Sequence, residues 1–105
     1  MSLWKWLFGG NDSASAQKIG ADRARELVAQ GATLVDVRSL QEFRGGHLDG
    51  ALHVPVDQIA QRMGEIPHGP VVLYCRSGMR SARAGRALIA AGREAVFDLG
   101  PMSAF

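Results

Sequence analysis

A chain of 105 residues, 47% of them apolar and with a net charge of +2, is one domain with one core, too short for separate catalytic and regulatory domains. Its single cysteine excludes an internal disulfide, so the fold needs no oxidising compartment and a cytoplasmic protein is predicted.

Residues 1–10 hold both tryptophans, and Leu3, Trp4, Leu7 and Phe8 share one face of a short helix at helical spacing. The segment is too short to span a bilayer and lacks the longer apolar region and cleavage site of a secretory signal. Three readings remain: a stripe docked on the domain or on a second copy, a mobile tail, or a weak interfacial membrane anchor. Residues 9–16, rich in Gly, Ser, Asn, Asp and Ala, read as a flexible linker. Residues 1–16 therefore form an N-terminal apolar segment with its linker, and residues 17–105 form the domain.

Within the domain, a short strand over residues 18–20 precedes a helix over 21–30, in which Ala24, Leu27 and Val28 share a face and Gly31 is the stop. A β-branched, apolar strand over 33–37 leads to a short helix over 40–44. Then follow a strand over 51–54 and a helix over 56–63 with Ile59, Ala60 and Met63 inward. An apolar strand over 71–74, a helix over 81–91 with Ala84, Ala87, Leu88 and Ala91 on one face, and a strand over 95–99 complete the chain. Strands separated by helices imply right-handed crossovers, hence a three-layer α/β/α fold around a five-stranded parallel sheet.

Cys75 falls between the end of the apolar strand and the start of the alanine-rich helix. A turn from Arg76 to Arg80 that curls around the sulfur would aim backbone N–H groups and a positive helix end at it. Such surroundings lower a thiol from about pH 8.5 to roughly 3.5–7.5, making a nucleophilic thiolate without a histidine base. A lone cysteine also fits a buried core residue, but flanking arginines and glycine are not core residues. No acidic residue lies between Glu65 and Glu94, while Arg76, Arg80, Arg83, Arg86 and Arg93 all do. The planar donor fork of arginine suits sulfonate, sulfate or phosphate oxygens, and Arg76 and Arg80 are best placed to supply it. Arg83 and Arg86 read as a solvated helix face.

The stretch from Cys75 to Ser81 resembles the active-site loop of rhodanese-like sulfurtransferases. Leu34-Val35-Asp36-Val37-Arg38 with Glu42-Phe43, then Gly46-His47-Leu48-Asp49-Gly50-Ala51 and Pro55, are similar to two further motifs of that family in the same order. The resemblance covers roughly residues 17–105. It implies a sheet order of 1-5-4-2-3, a persulfide-carrying nucleophile at Cys75, and a cradle made of Arg76, Ser77, Gly78, Met79 and Arg80. Two departures stand near the end, Pro101 where a second glycine is usual and Phe105 where tryptophan is usual.

With that sheet order Asp36, Arg38 and Cys75 lie at the carboxyl edge of the strands, where ligands bind in such sheets. Asp36 either ties down the backbone or Arg38 beneath the loop, or it helps to set the electrostatics of Cys75. Arg38 and Glu42, four apart, are expected to pair at the start of the short helix. His47 reads as a structural hydrogen-bonder, His68 as an exposed turn residue, and no histidine spacing suggests a metal.

The implied activity is transfer of a sulfane sulfur from thiosulfate or a related small anionic donor, through Cys75, to a thiol, a protein acceptor or cyanide, with no cofactor. Two alternatives stay open. One is a sulfur-carrier or interaction module without turnover. The other is a cysteine phosphatase or arsenate reductase, whose cradle is usually one residue longer than the four residues between Cys75 and Arg80. The sequence gives no direct nucleic-acid signal.

Overall fold

The computed structural model describes residues 15–105, so the apolar segment over residues 1–10 and most of its linker lie outside the described residues. Five strands form one sheet: β1 (Gln17–Lys18), β2 (Thr33–Asp36), β3 (Leu52–His53), β4 (Val71–Cys75) and β5 (Val96–Pro101). They run in the order β1-β5-β4-β2-β3, and every pairing is parallel. The expected architecture and strand order are both present.

Strand alternation divides the core into two layers. On one face Val35, Val71, Leu73, Cys75 and Val96 pack against Ala84 and Leu88 of helix α4 (Met79–Ala90) and Ile59 of α3 (Ile59–Arg62). On the other face Leu34, Val72, Tyr74 and Leu99 pack against Ala24 and Leu27 of α1 (Ala21–Ala29). All five residues of β4 are buried, as expected for a central strand covered on both sides. The short helix α2 (Leu40–Arg44) opens with a capping box: Ser39 accepts from the Glu42 N–H while the Glu42 side chain accepts from the Ser39 N–H.

The segment expected as one helix over 56–63 is three pieces, a 3₁₀ turn (Val56–Gln58), α3 and a second 3₁₀ turn (Met63–Glu65). The changes of pitch break the 3.6-residue period. Ile59 is buried and Met63 half-buried as expected, but Ala60 is exposed. Ala91, expected on the buried face of the following helix, is exposed because it is already the residue capping α4.

Both ends of the described chain pack on the core. A Cβ placed on Gly85 would stand 2.7 Å from the Ala16 Cβ, so glycine there lets the chain before β1 cross closely over α4. At the other end Pro101 closes β5, a 3₁₀ turn (Met102–Ala104) follows, and Phe105 packs on the α1-side layer beneath the Arg25 guanidinium, 5.3 Å from its ring centre. Pro101 and Phe105 thus build a cover for this face from residues unlike the usual pair. Among the described residues no helix is long and apolar enough to cross a membrane.

Candidate active site

β4 runs one residue further than its apolar run, because Cys75 still pairs with Pro101 of β5. The side chain of Cys75 therefore points into the α4-side layer and has no exposed surface. The flanking arginines and glycine do not keep Cys75 out of the core: the last strand position and the first turn of α4 enclose it. Gly78, with φ +107, reverses the chain into α4. Its N–H donates to the Cys75 sulfur at 2.8 Å, and the Ser81 hydroxyl lies 3.4 Å from the same atom. A side chain at Gly78 would be strained at that φ, although its Cβ would meet the Gly100 Cα only in ordinary contact at 3.9 Å.

Burial pushes the Cys75 thiol up, but the Ser81 hydroxyl and the backbone N–H groups of Ser81, Gly78 and Ser77 outweigh it and hold the thiol below its ordinary value. Hydrogen bonds rather than the flanking arginines do most to favour the thiolate. Ser81, read from the sequence as the end of the loop and the start of a helix but not as part of the cradle, is buried and belongs to the cradle.

Of the loop residues, Arg76, Ser77 and Met79 are exposed, while Gly78 and Arg80 are half-buried. Arg80 reaches across to α2 and grips Glu42 at both oxygens, 2.6 and 2.9 Å. The Arg80 guanidinium and the capping-box N–H of Ser39 together hold the Glu42 carboxyl well below the usual carboxylate range. This corrects the expected Arg38–Glu42 pair. The Ser39-x-x-Glu42 spacing of a capping box was a local signal for the orientation of Glu42; nothing local in sequence announces a partner at Arg80.

Arg38 pairs with Asp36 instead. Its Nη2 is 2.7 Å from Asp36 Oδ2, its Nε and backbone N–H also donate to that carboxylate, and its Nη2 donates to the Gly46 carbonyl. Burial raises the Asp36 carboxyl, but the bonds from Arg38 and Tyr74 outweigh it and leave it below its ordinary value. Asp36 alternates with Leu34, and its register partner is Tyr74, both in the α1-side layer, so the Asp36–Arg38 pair occupies the sheet face opposite Cys75. It fixes the chain around β2 and the Gly46 turn beneath the carboxyl edge. His53 bonds the Arg38 carbonyl, and His47 bonds the Phe43 carbonyl while its ring stacks on Phe43. No cluster among the described residues has the composition of a metal site.

The chain matches the rhodanese-like domain family over residues 20–100. Thiosulfate sulfurtransferase GlpE of Pseudomonas aeruginosa is 32% identical over 88 residues, which are 83% of this chain and 80% of that protein. A putative sulfur carrier protein of Bacillus subtilis, YrkF, is 27% identical over 84% of this chain and 44% of its own length. The chain spans about half of another B. subtilis relative, the uncharacterized protein YqhL, being 44% identical over 69 residues, 65% of this chain and 55% of that one. Among solved structures, a rhodanese homolog from Thermus thermophilus superposes with a TM-score of 0.69 at 30% identity, covering 85% of this chain and all of that one. With the sheet order, the strand-end cysteine and its loop in place, the chain belongs to the rhodanese-like domain family.

Proposed function

We propose that this protein is a sulfurtransferase that works through a Cys75 persulfide. The observation that carries the reading is the sulfur itself, seated at a strand end against the Gly78 N–H and the Ser81 hydroxyl, whose hydrogen bonds favour its anion. The Cys75 thiolate attacks the sulfane sulfur of thiosulfate. A new S–S bond forms to Cys75, the donor's S–S bond breaks, and sulfite leaves with the electron pair. An acceptor thiolate or cyanide then attacks the outer sulfur, and the pair returns to Cys75, so no external oxidant or reductant is consumed. Because Cys75 is enclosed, the exposed loop residues Arg76, Ser77 and Met79 must part for the donor to touch it. A single free thiol with this role suits a reducing cytoplasm, and the acceptor is a small thiol or a protein.

Intact-mass measurement of protein incubated with thiosulfate tests the reading. One added sulfur, removed by cyanide with thiocyanate released at every cycle, is the expected result. No added mass would overturn it, and a loaded protein that never turns over would mark a carrier instead. Loading should quicken as pH rises through a thiol value below the ordinary one and level off beyond it, because the anion is the attacking species.

Arg80 provides a second test. With Glu42 on both of its nitrogens, its charge is shared, and the donor's sulfonate must compete for the same fork. Arg80→Ala removes the fork and leaves the Glu42 carboxylate facing an anionic donor. Loss of one charge-assisted contact of about 1.5–3 kcal/mol predicts a KM for thiosulfate raised roughly 10- to 100-fold. The thiol titration should move little, since its main support comes from Ser81 and the backbone. Equal KM values in both proteins would remove Arg80 from donor binding.

A further inference from the structure

Beside the loop lies a cleft of about 400 Å³ whose lining includes Lys18, Ser77, Gly78, Ala82, Asp98 and Gly100. Asp98 is 3% exposed, and its Oδ1 has no hydrogen-bond partner among the described residues. Lys18 stands opposite it in the β1–β5 register, yet the two form no ion pair among the described residues. A buried carboxylate oxygen without a donor is costly, and a carboxylate can only accept, so a cleft walled by one favours a ligand that brings N–H donors and positive charge. Asp98 also shares a face with the nucleophile. Its partner in β4 is Leu73, which packs with Cys75 in the α4-side layer. Leu73 precedes Cys75 by two residues, so the carboxylate lies about 7 Å back along the strand direction from the level of the sulfur. A persulfide carries its outer sulfur about 2 Å beyond Sγ. The wall between cleft and sulfur is the Ser77–Gly78 backbone, the same segment whose N–H groups hold the anion.

We propose that this cleft seats the sulfur acceptor, and that the acceptor is a small thiol bearing an ammonium group, with the ammonium paired with the Asp98 carboxylate and the thiol at the Ser77–Gly78 edge of the cradle. The assignment rests on the sulfurtransferase reading. In the transfer, the acceptor thiolate attacks the outer sulfur of the Cys75 persulfide, a new S–S bond forms, the old one breaks, and its electron pair stays on Sγ. The proton lost by the acceptor thiol goes to solvent or to the product persulfide. Lys18, exposed on the same wall, gives a carboxylate-bearing aminothiol such as cysteine a second anchor.

The test compares cysteamine with 2-mercaptoethanol, which carries a hydroxyl in place of the ammonium, on protein preloaded with thiosulfate. The ratio of kcat/KM for the two thiols is measured in wild type and in Asp98→Asn, so that their different intrinsic reactivities cancel. Loss of a charge-assisted bond predicts that the wild-type preference for cysteamine falls about tenfold or more in the variant, carried by KM. An unchanged ratio overturns the assignment and spares the sulfurtransferase reading. A second measurement needs neither turnover nor loading: unloaded protein is titrated with 2-(methylthio)ethylamine or 2-(methylthio)ethanol and followed by the backbone amide signals of Gly78 and Gly100. Saturable shifts with the amine alone, absent in Asp98→Asn, support the site even if thiosulfate never loads the protein. Matching responses to amine and alcohol, or none to either, overturn it, and the wild-type comparison decides even if the variant does not fold.

Discussion

Replacing Cys75 by serine is expected to abolish sulfur transfer, lowering turnover roughly 10³-fold or more, as removal of a nucleophile does. The hydroxyl has neither the low pKa nor the polarisable sulfur that an S–S displacement requires, and the chain offers no second cysteine. The fold should survive. Cys75 is wholly buried, so the substitution is not a surface change, but the new hydroxyl meets a ready donor in the Gly78 N–H and a partner in Ser81. A cost of about 1–2 kcal/mol follows from burying a polar group with imperfect bonds. Thiocyanate production and a urea melt on the same sample check both parts. Retained turnover would transfer the chemistry to another group, and an unfolded variant would make Cys75 a core residue first.

Asp36→Ala carries the largest expected effect on stability. The substitution strands the Arg38 guanidinium, 5% exposed, with the Gly46 carbonyl as its remaining side-chain bond. Breaking a buried pair by removing one partner costs about 3–5 kcal/mol, a large share of the roughly 5–15 kcal/mol that holds a small domain together. The urea midpoint should fall accordingly. The pH dependence has a definite sign. Because the folded-state value of Asp36 is depressed, the pair's contribution is full above the ordinary carboxylate value and is lost as pH falls through the lower folded one. The gap between wild type and Asp36→Ala should therefore be wide at neutral pH and narrow in strong acid. A gap independent of pH would show that packing, not charge, is what Asp36 contributes.

Much of this fold was legible because its central strands are written as apolar runs. Residues 33–37 and 71–74 announce β2 and β4 to within one residue, and Ala84 and Leu88 announce the buried face of α4. The residue by which β4 was underestimated matters most. Strand pairing is a tertiary event, so an arginine-flanked cysteine gave no sign that Pro101 would hold it in the ladder and bury it. Side-chain partners were read only where they lie close in sequence: the tie of Asp36 to Arg38 was legible, while the pairing of Arg38 with Glu42 was not the one that forms. The grip of Arg80 on Glu42 spans 38 positions and depends on how α2 and α4 are brought together, which no local pattern encodes. Asp98 was passed over because a single aspartate amid apolar residues in a strand looks like an ordinary interruption until its burial and missing partner are known.

The sheet ends at both sides in strands of two residues, β1 and β3. Each edge therefore offers only a short row of unpaired N–H and C=O groups on which another chain could template. The loop over Cys75 follows the central strand β4, away from both edges. The place where the proposed transfer acts is thus not the place where sheets join, and the two short edges are expected to keep the protein from growing into fibrils at high concentration.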